Sequence, residues 1–417
     1  MNRERPVAFY EMWTHQLTLA KLIDYCKNHI NTDIIVDCSK ENGIFPGPLH
    51  PEGTVEAKDA FANAIKETIA WNSMHSNRVI LIVGNYKPNA TELVIDDIKI
   101  DIHEHPERYQ PNVPRHELAI QLGLFDEVHT WPNYFLTWNG YKIFKHAAKR
   151  LPDSGLDIQQ LFILKIRQSK LHRVLLLDEL AKRDLLTRNM FTCLDPFDRL
   201  AEHMETVGAT TYNKGKFCIQ TDEEMVDLYD EQPPGWRHTL IDVVSETHSS
   251  SHFYTEKTVW PLAYMKPFLI HGAQWQNRDL KKLGFVLFEE LFDYTFDSIE
   301  SPRQRTIALA DELKRLQSLN LDYNKVYIQL MPKLEHNLRR LIELFDNDEY
   351  MPAPIKKYAH RLWKKQHASK KNAGRTVDID PVMGTWLPFV DNNGRNVLAM
   401  DAVRSNPYLT ALYYGKL

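Results

Sequence analysis

The chain has 417 residues, of which 43% are hydrophobic, and its formal net charge is −4 at pH 7. That length and apolar content suffice for two hydrophobic cores of ordinary domain size, and the small net charge gives no global bias toward nucleic acid. The four cysteines are scattered without CxxC spacing, which argues against a disulfide framework and a zinc site and favours a reducing, cytoplasmic compartment.

The first residues pass from charges directly to a short apolar run. This run is far below the length of a signal-peptide core or a membrane span, so we expect no membrane partner. The sequence also lacks a GxxxxGK(S/T) loop, a GxGxxG motif after a strand and a GxSxG motif. Kinase-like, dinucleotide-binding and hydrolase functions therefore lose their usual support.

Strand-like apolar runs alternate with helical patterns through the first part of the chain. The strand-like runs lie at 7–10, 34–36 and 79–83, and apolar residues recur at helical spacing near 17–28 and 55–71. This alternation is typical of βαβ units that build a mostly parallel sheet covered on both faces. Residues 1–150 are therefore predicted to form a Rossmann-like domain.

Acidic residues follow the first two predicted strands. Glu11 comes directly after the run 7–10, and Asp37 comes directly after the run 34–36. Ligands of such sheets bind at the carboxyl ends of the strands, so either carboxylate is a candidate general base. The alternative is that each residue only caps a strand or forms a turn.

Two groups of residues have spacings that suit a metal ion. Asp101, His103 and His105 fall on one face of an alternating strand pattern, and Asp378 and Asp380 form a DxD triplet. The polar face of a half-exposed strand explains the first group better, and DxD triplets often arise by chance. No metal site is predicted.

A second βα series follows a cluster of turn residues at 149–159 that is typical of a linker. Its strand-like runs lie at 161–166, 190–193, 239–244 and 268–270. Residues 160–345 are predicted to form a second Rossmann-like domain, and residues 346–417 a basic segment and a tail that packs back on the domains. The predicted fold is α/β, with two doubly wound domains facing each other across a cleft.

Charged residues are concentrated at one junction of this second domain. Glu246 lies at the end of a predicted strand, and Thr255 precedes an amphipathic segment as an N-cap. The backbone N–H groups of such a helix start favour an anion, and Lys257 adds a full positive charge, so the junction suits a phosphate. Glu256 and Glu246 are acceptor groups suited to sugar hydroxyls. Together these residues indicate a nucleotide diphosphate, and the alternative is an ordinary charged first turn.

The same residues carry a resemblance to a known family. The order of Glu246, an eight-residue polar loop, the tripeptide Thr255-Glu256-Lys257, a helix and the strand 267–270 resembles the nucleotide-sugar half of the α1,3-fucosyltransferase-like glycosyltransferases. The run 279–305 is similar to uncharacterised glycosyltransferases of phages and large viruses, which implies a host cytoplasm. Thr247 stands where the family has an asparagine, so fucose is not inferred as the sugar.

The resemblance implies a GT-B-type glycosyltransferase and a role for Arg173. The family keeps an arginine in the first turn of the helix after the strand 161–166, where it holds the diphosphate, and Arg173 occupies that place. The alternative is that Arg173 is a solvated flank of a helix whose apolar face forms the core. Arg173 and Lys257 would neutralise the leaving diphosphate without a metal, so we expect an inverting, metal-independent enzyme that needs no cofactor beyond its nucleotide-sugar substrate.

The C-terminal segment 355–375 bears on the acceptor. It contains eight Lys or Arg residues and no Asp or Glu, with aromatic residues between them. Cationic side chains bind a phosphate backbone and aromatic rings stack on exposed bases, so a nucleic-acid acceptor is the leading hypothesis. The predicted nucleic-acid-binding residues are Lys356, Lys357, Arg361, Trp363, Lys364 and Lys365.

The corresponding reaction is glycosylation of a hydroxymethylated pyrimidine in phage DNA. A glycan or lipid-linked sugar is the alternative acceptor. A non-enzymatic nucleic-acid-binding protein of the same fold is the second alternative, and a solvated lysine-rich helix would also explain the composition of the segment.

Overall fold

The structure is a computed structural model, and it describes residues 7–11, 33–38, 79–83, 127–130, 140–149, 157–167, 169–193, 197–210, 236–247, 254–347 and 397–415, with the single positions 28, 151 and 249. The chain divides into two compact units. One contains the first four strands, and the other contains Asn139–Asp346 and Leu398–Leu417.

The first sheet has four parallel strands in the order β1-β2-β3-β4. They are β1 Val7–Glu11, β2 Asp33–Cys38, β3 Val79–Val83 and β4 Glu127–Thr130. The predicted strands at 7–10, 34–36 and 79–83 are confirmed. The register pairs Glu11 of β1 with Asp37 of β2, so both candidate bases lie at one level near the carboxyl end of this sheet.

The second sheet also has four parallel strands, in the order β6-β5-β7-β8. They are β5 Gln160–Ile166, β6 Met190–Cys193, β7 Thr239–Ser245 and β8 Phe268–His271. All four predicted strands of this series are confirmed. Every residue of β7 and β8 is buried, as expected for parallel strands covered on both faces.

The side chain of Asn277 satisfies the backbone of β8 at the edge of this sheet. Its Oδ1 accepts from the Ile270 N–H at 2.8 Å, and its Nδ2 donates to the Ile270 carbonyl at 2.8 Å. Asp297 Oδ1 accepts from Nδ2 in turn, at 2.9 Å, and fixes the amide orientation. The amide thus occupies the hydrogen-bonding position of a neighbouring strand at Ile270.

Helices follow the strands and cover the second sheet. The described helices are α1 Gly140–Ala148, α2 Leu171–Lys182, α3 Phe197–Val207, α4 Glu256–Ala263, α5 Gln276–Asp279, α6 Pro302–Ser318, α7 Tyr323–Asn347, α8 Val397–Ser405 and α9 Pro407–Tyr413, with 3₁₀ turns at Trp236–His238, Leu280–Leu283 and Tyr294–Ser298. Helix α2 contacts α3 and α6, whereas α4 contacts α1. No described helix has the length and apolar character needed to cross a lipid bilayer.

Helix α1 belongs to the same compact unit as the second sheet, although it precedes the predicted linker at 149–159. The physical reason is its packing. The Phe144 ring lies 5.6 Å from the Phe345 ring of α7, and Asn406 donates to the carbonyls of Ala148 and Leu151 at 2.6 and 2.8 Å. These contacts also hold α9, which Asn406 caps, against the start of the unit.

Candidate functional site

The order of strands in the second sheet creates a crevice between β5 and β7. The chain leaves β5 toward β6 on one side and leaves β7 toward β8 on the other side. Neighbouring parallel strands whose connections diverge in this way open a crevice at their carboxyl ends, where ligands of doubly wound sheets bind. Helices α2 and α4 begin at this edge, and Arg173 and Lys257 lie in their first turns.

Glu246 follows β7 directly and is fully buried. Its carboxylate accepts the Thr255 N–H at 3.0 Å, the Thr255 hydroxyl at 2.5 Å and the Thr258 hydroxyl at 2.6 Å. These three bonds tie the end of β7 to the first turn of α4. Glu246 therefore positions the helix, and its buried carboxylate is not open to a sugar hydroxyl.

Thr255 is the N-cap of α4, as the sequence predicts. Its hydroxyl oxygen accepts from the Lys257 N–H at 3.3 Å while the hydroxyl proton is directed at Glu246. Residue 255 has an extended backbone, which ends the preceding loop and starts the helix. The cap fixes the direction in which the first backbone N–H groups of α4 point.

Lys257 and Glu256 form the accessible part of the junction. The Lys257 side chain is 22% exposed and the Glu256 side chain 17% exposed. The Lys257 Nζ donates to Glu256 Oε1 at 2.9 Å and to the hydroxyls of Thr247 and Thr255 at 3.3 and 3.2 Å. All of these partners are side-chain atoms, and a bound anion can replace them without disturbing the helix.

The charge of Glu256 is stabilised at this position. Burial by itself raises the pKa of the Glu256 carboxyl, but the ammonium of Lys257 and its hydrogen bond outweigh burial, and the net pKa lies below its ordinary value. The pair is therefore an ion pair at neutral pH. An anion that binds Lys257 has to compete with a fully ionised carboxylate.

Arg173 is buried rather than solvated, so the alternative of a solvated flank does not fit. It is 4% exposed, and its NH2 group donates to the carbonyls of Ser245 and Glu246 at 3.3 and 3.0 Å. Its neighbour His172 lies 3.0 Å from the same Glu246 carbonyl through Nε2. The first turn of α2 is thus fastened to the end of β7.

Two buried histidines, His172 and His271, lie next to each other at this turn, with their ring centres 5.5 Å apart. His271, at the end of β8, contacts the Ser245 hydroxyl through Nδ1 at 3.0 Å and the Thr306 hydroxyl through Nε2 at 2.8 Å. Burial, with smaller effects of Arg305 and Arg173, lowers the pKa of His271 to about 3. Burial also lowers the pKa of His172 well below its ordinary value, so both rings are neutral at neutral pH.

Arg305 was not predicted as a site residue, yet it contacts the chain after β7 at Ser249. It is 3% exposed and donates to the carbonyls of Gly272 at 3.0 Å, Ile299 at 2.5 Å and Ser249 at 2.9 Å. An arginine in the first turn of a helix is common, and nothing in the local pattern marks this one. Only the tertiary contacts reveal it.

A second group that sequence reasoning missed lies on the face of β5 and β7. Lys165 donates to the fully buried Asp242 at 2.8 Å and lies 4.0 Å from the centre of the Trp236 ring. Burial lowers the pKa of Lys165 and raises the pKa of Asp242, and the charges of Lys257 and Glu256 also act on Lys165. One charged residue in each of two apolar strands was the available sequence signal.

For the remaining predicted residues, the structure either gives the backbone position alone or does not describe the residue. Glu11 and Asp37 are register partners in the first sheet. The metal candidates that the sequence analysis discounted and the basic segment 355–375 lie outside the described residues. Within the described part of the chain, no three His, Cys, Asp or Glu side chains come together as metal ligands.

Comparison of the chain with protein-family models and with curated proteins finds no match.

Proposed function

We propose that the chain is a glycosyltransferase that transfers a sugar from a nucleotide diphosphate to a hydroxyl acceptor. The observation that carries the proposal is the Lys257 ammonium, which is partly exposed at the start of α4 where the connections after β5 and β7 diverge. Such crevices bind nucleotides in doubly wound sheets, and a helix start with a lysine in its first turn favours a phosphate.

Donor binding in this proposal proceeds by exchange of partners. The diphosphate takes the place of the Glu256 carboxylate at the Lys257 ammonium, which is 2.9 Å away in the ion pair. The released carboxylate is then an acceptor for sugar hydroxyls beside the phosphate. Glu256 and Lys257 thus act together, because Lys257 can bind the phosphate only when the Glu256 carboxylate moves away from it.

Arg173 has an indirect part in the proposal. Because its guanidinium is buried against two backbone carbonyls, it supports the site mainly by holding the end of β7 and the start of α2. Its positive charge adds to that of Lys257 near the leaving diphosphate. Glu246 and Thr255 hold α4 in the orientation that presents Lys257.

The chemistry proposed is inverting transfer without a metal, in a GT-B arrangement of two domains. Protein cations stabilise the diphosphate as the sugar bond breaks, and a carboxylate removes the proton of the acceptor hydroxyl. Glu11 and Asp37 are the candidates for that base, and their shared register is consistent with either one. Activity is expected to persist in a chelator, and loss in EDTA with recovery on Mn²⁺ or Mg²⁺ would overturn this part.

The central experiment incubates the protein with a panel of nucleotide sugars and measures thermal stabilisation and slow donor hydrolysis. One donor is expected to raise the melting temperature of the parent and to be hydrolysed. Lys257→Ala should lose both responses. Lys282→Ala is the matched control, because Lys282 is 71% exposed and pairs with Asp279 away from the helix start. A panel without response from the parent would contradict the proposal and favour the non-enzymatic alternative.

The acceptor proposed first is a hydroxymethylated pyrimidine in DNA, supported by the composition of the segment 355–375. DNA binding should then fall steeply with salt. Changing Lys356, Lys357, Lys364 and Lys365 together to Ala should weaken DNA binding and leave donor binding intact. If the parent does not bind DNA near physiological salt, a glycan or lipid-linked sugar becomes the better acceptor.

A further inference from the structure

Lys165 is a second partly exposed cation near the carboxyl end of the second sheet. It is the residue before the last of β5, and its side chain is 22% exposed, as is that of Lys257. Two other basic residues of this region, Arg173 and Lys266, are each 4% exposed and donate to backbone carbonyls. Exposure thus separates Lys165 and Lys257 from the basic side chains that only hold the backbone.

Lys165 and Lys257 belong to the two elements that border the crevice between β5 and β7. Lys165 lies on β5, whereas Lys257 lies on α4, which follows β7 in the chain and packs against it. Trp260 of α4 connects the two residues. Its ring centre lies 5.7 Å from the Lys165 Nζ, and it comes three residues after Lys257, so the two are neighbours on the helix surface. A ligand in the crevice can therefore contact both ammonium groups.

The charges of the accessible junction also act on Lys165. Burial lowers the pKa of the Lys165 ammonium, and the ion pair with Asp242 opposes that effect. The next contributions are those of Lys257, which lowers the pKa, and of Glu256, which raises it. Because the interaction of two charges weakens with their separation, the two ion pairs are close neighbours.

The Lys165 ammonium has N–H groups left for a ligand. An ammonium carries three N–H donors. Among the described residues, its one hydrogen-bond acceptor is Asp242 Oδ2 at 2.8 Å, and the centre of the Trp236 ring lies 4.0 Å from its Nζ. Asp242 is fully buried, and no donor of the described residues reaches its other carboxylate oxygen. Lys165 can thus keep Asp242 as its partner and bind an anion as well, whereas Lys257 first has to leave Glu256.

We propose that Lys165 is a second phosphate ligand of the donor site, so that the two phosphates of a nucleoside diphosphate contact Lys165 and Lys257 separately. This inference rests on the proposed function and adds to it a binding residue and a substrate class. Two accessible cations from separate elements suit a donor with two phosphates. A sugar linked to a nucleoside monophosphate would use only one of them.

Isothermal titration of the full chain with the diphosphates of uridine, guanosine, adenosine, cytidine and thymidine, and with the corresponding monophosphates, tests the inference. The matched variants are Asp242→Asn, which keeps the Lys165 ammonium and an acceptor for it, and the double variant Lys165→Met with Asp242→Asn. The double variant removes the ammonium without leaving a buried carboxylate unpaired. It should bind the diphosphate that the parent prefers about tenfold or more weakly than Asp242→Asn does.

The monophosphate of the same base separates the two cations. Because it meets only one of them, its affinity should fall on loss of the Lys165 ammonium or in Lys257→Ala, but not in both. Weakening by both changes would overturn the inference, since the two cations would then share one phosphate.

The outcome for the diphosphate distinguishes this inference from the proposed function. A diphosphate that loses affinity in Lys257→Ala but binds Asp242→Asn and the double variant equally would overturn the role of Lys165 and leave the proposed function standing. A parent that binds none of the diphosphates would contradict the proposed function and this inference with it. Equal thermal unfolding temperatures of the two matched variants establish that the comparison is between folded proteins.

Acetylation of lysines in the parent, read by mass spectrometry, tests the same contact without any substitution. Its lowered pKa increases the unprotonated, reactive fraction of the Lys165 amine. A saturating concentration of the preferred diphosphate should reduce acetylation of both Lys165 and Lys257. Lys282, which is 71% exposed, is the control and should be acetylated as before. Protection of Lys257 without protection of Lys165 would overturn the inference.

Discussion

The starts of helices α2 and α4 lie at the same edge of the second sheet, and each has a basic residue in its first turn. In α2 the cation is Arg173, which is 4% exposed and donates to backbone carbonyls at the end of β7. In α4 the cation is Lys257, whose side chain is 22% exposed and donates only to side-chain oxygens. The same pattern of sequence has thus produced two different environments.

The difference separates a cation that stabilises the fold from one that is available to a ligand. A guanidinium that binds buried carbonyls cannot leave them without exposing unpaired polar groups, which costs free energy. An ammonium that binds partly exposed side chains can exchange those partners for a phosphate at little cost to the fold. Variants of the two helix starts should therefore differ in stability and in donor affinity in opposite ways.

The largest effect is expected for Glu246→Ala. The substitution removes the acceptor of three buried hydrogen bonds and leaves the Thr255 and Thr258 donors without it. The free energy of unfolding should fall by about 3–5 kcal/mol, measured by urea denaturation. Glu256→Ala is the control from the accessible side, and it should cost less than about 1 kcal/mol. Equal losses would mean that the two carboxylates do not differ as described.

Arg173→Lys should lower the free energy of unfolding by about 2–3 kcal/mol, because a single ammonium does not replace a guanidinium fork on two carbonyls. Lys257→Met should change it by less than about 1 kcal/mol. Urea denaturation of both variants beside the parent gives the comparison. If Lys257→Met is the more destabilised variant, the proposed division of roles is incorrect.

Donor affinity should show the opposite order. Lys257→Ala is expected to weaken binding of the responsive nucleotide sugar by about 1.5–3 kcal/mol, the usual value of a hydrogen bond to a charged group. Isothermal titration at a temperature where all variants are folded measures it. Folded Arg173→Lys should lose less donor affinity than Lys257→Ala, because the proposed role of Arg173 at the donor site is indirect. A larger loss for Arg173→Lys would identify Arg173 as the main phosphate ligand.

The smallest expected effect is a change in the pH dependence of stability. It concerns His271, whose ring contacts the hydroxyls of Ser245 and Thr306. Its pKa is lowered from 6.5 to about 3, so the unfolded chain takes up the proton first. Its contribution to stability is complete above about pH 6.5 and is lost as the pH falls toward about 3, at about 1.4 kcal/mol per pH unit. His271→Gln should reduce this slope in urea denaturation between pH 6 and pH 5. An unchanged slope would show that another group is responsible.

Local patterns predicted much of the second unit. The strand 190–193 agrees with β6 at both ends, and each of the other three predicted strands differs from the structure by one residue at one end, because a short apolar run bounded by turn signals is a local pattern. The N-cap role of Thr255 was predictable for the same reason. The strand β4 was not predicted, since it has only four residues and three of them, Glu127, His129 and Thr130, are polar or charged.

The functional roles within the site were less predictable. Arg173 and its acceptor Glu246 are 73 residues apart, and Lys165 and Asp242 are 77 residues apart. No local pattern specifies that such residues meet. The Arg305 clamp on Ser249 likewise spans 56 residues and follows from the packing of α6 beside the end of β8.

The sequence by itself determined the parallel sheets, the helix starts and the presence of charged residues at one junction, because these follow from periodicity and capping within short segments. Only the tertiary structure decided which of those charges are accessible. Burial depends on how distant elements pack, and it placed Arg173 and Glu246 inside while it left Lys257 and Glu256 partly exposed. The same packing left Leu319 half exposed at the end of α6, although its hydrophobicity alone would have assigned it to the core.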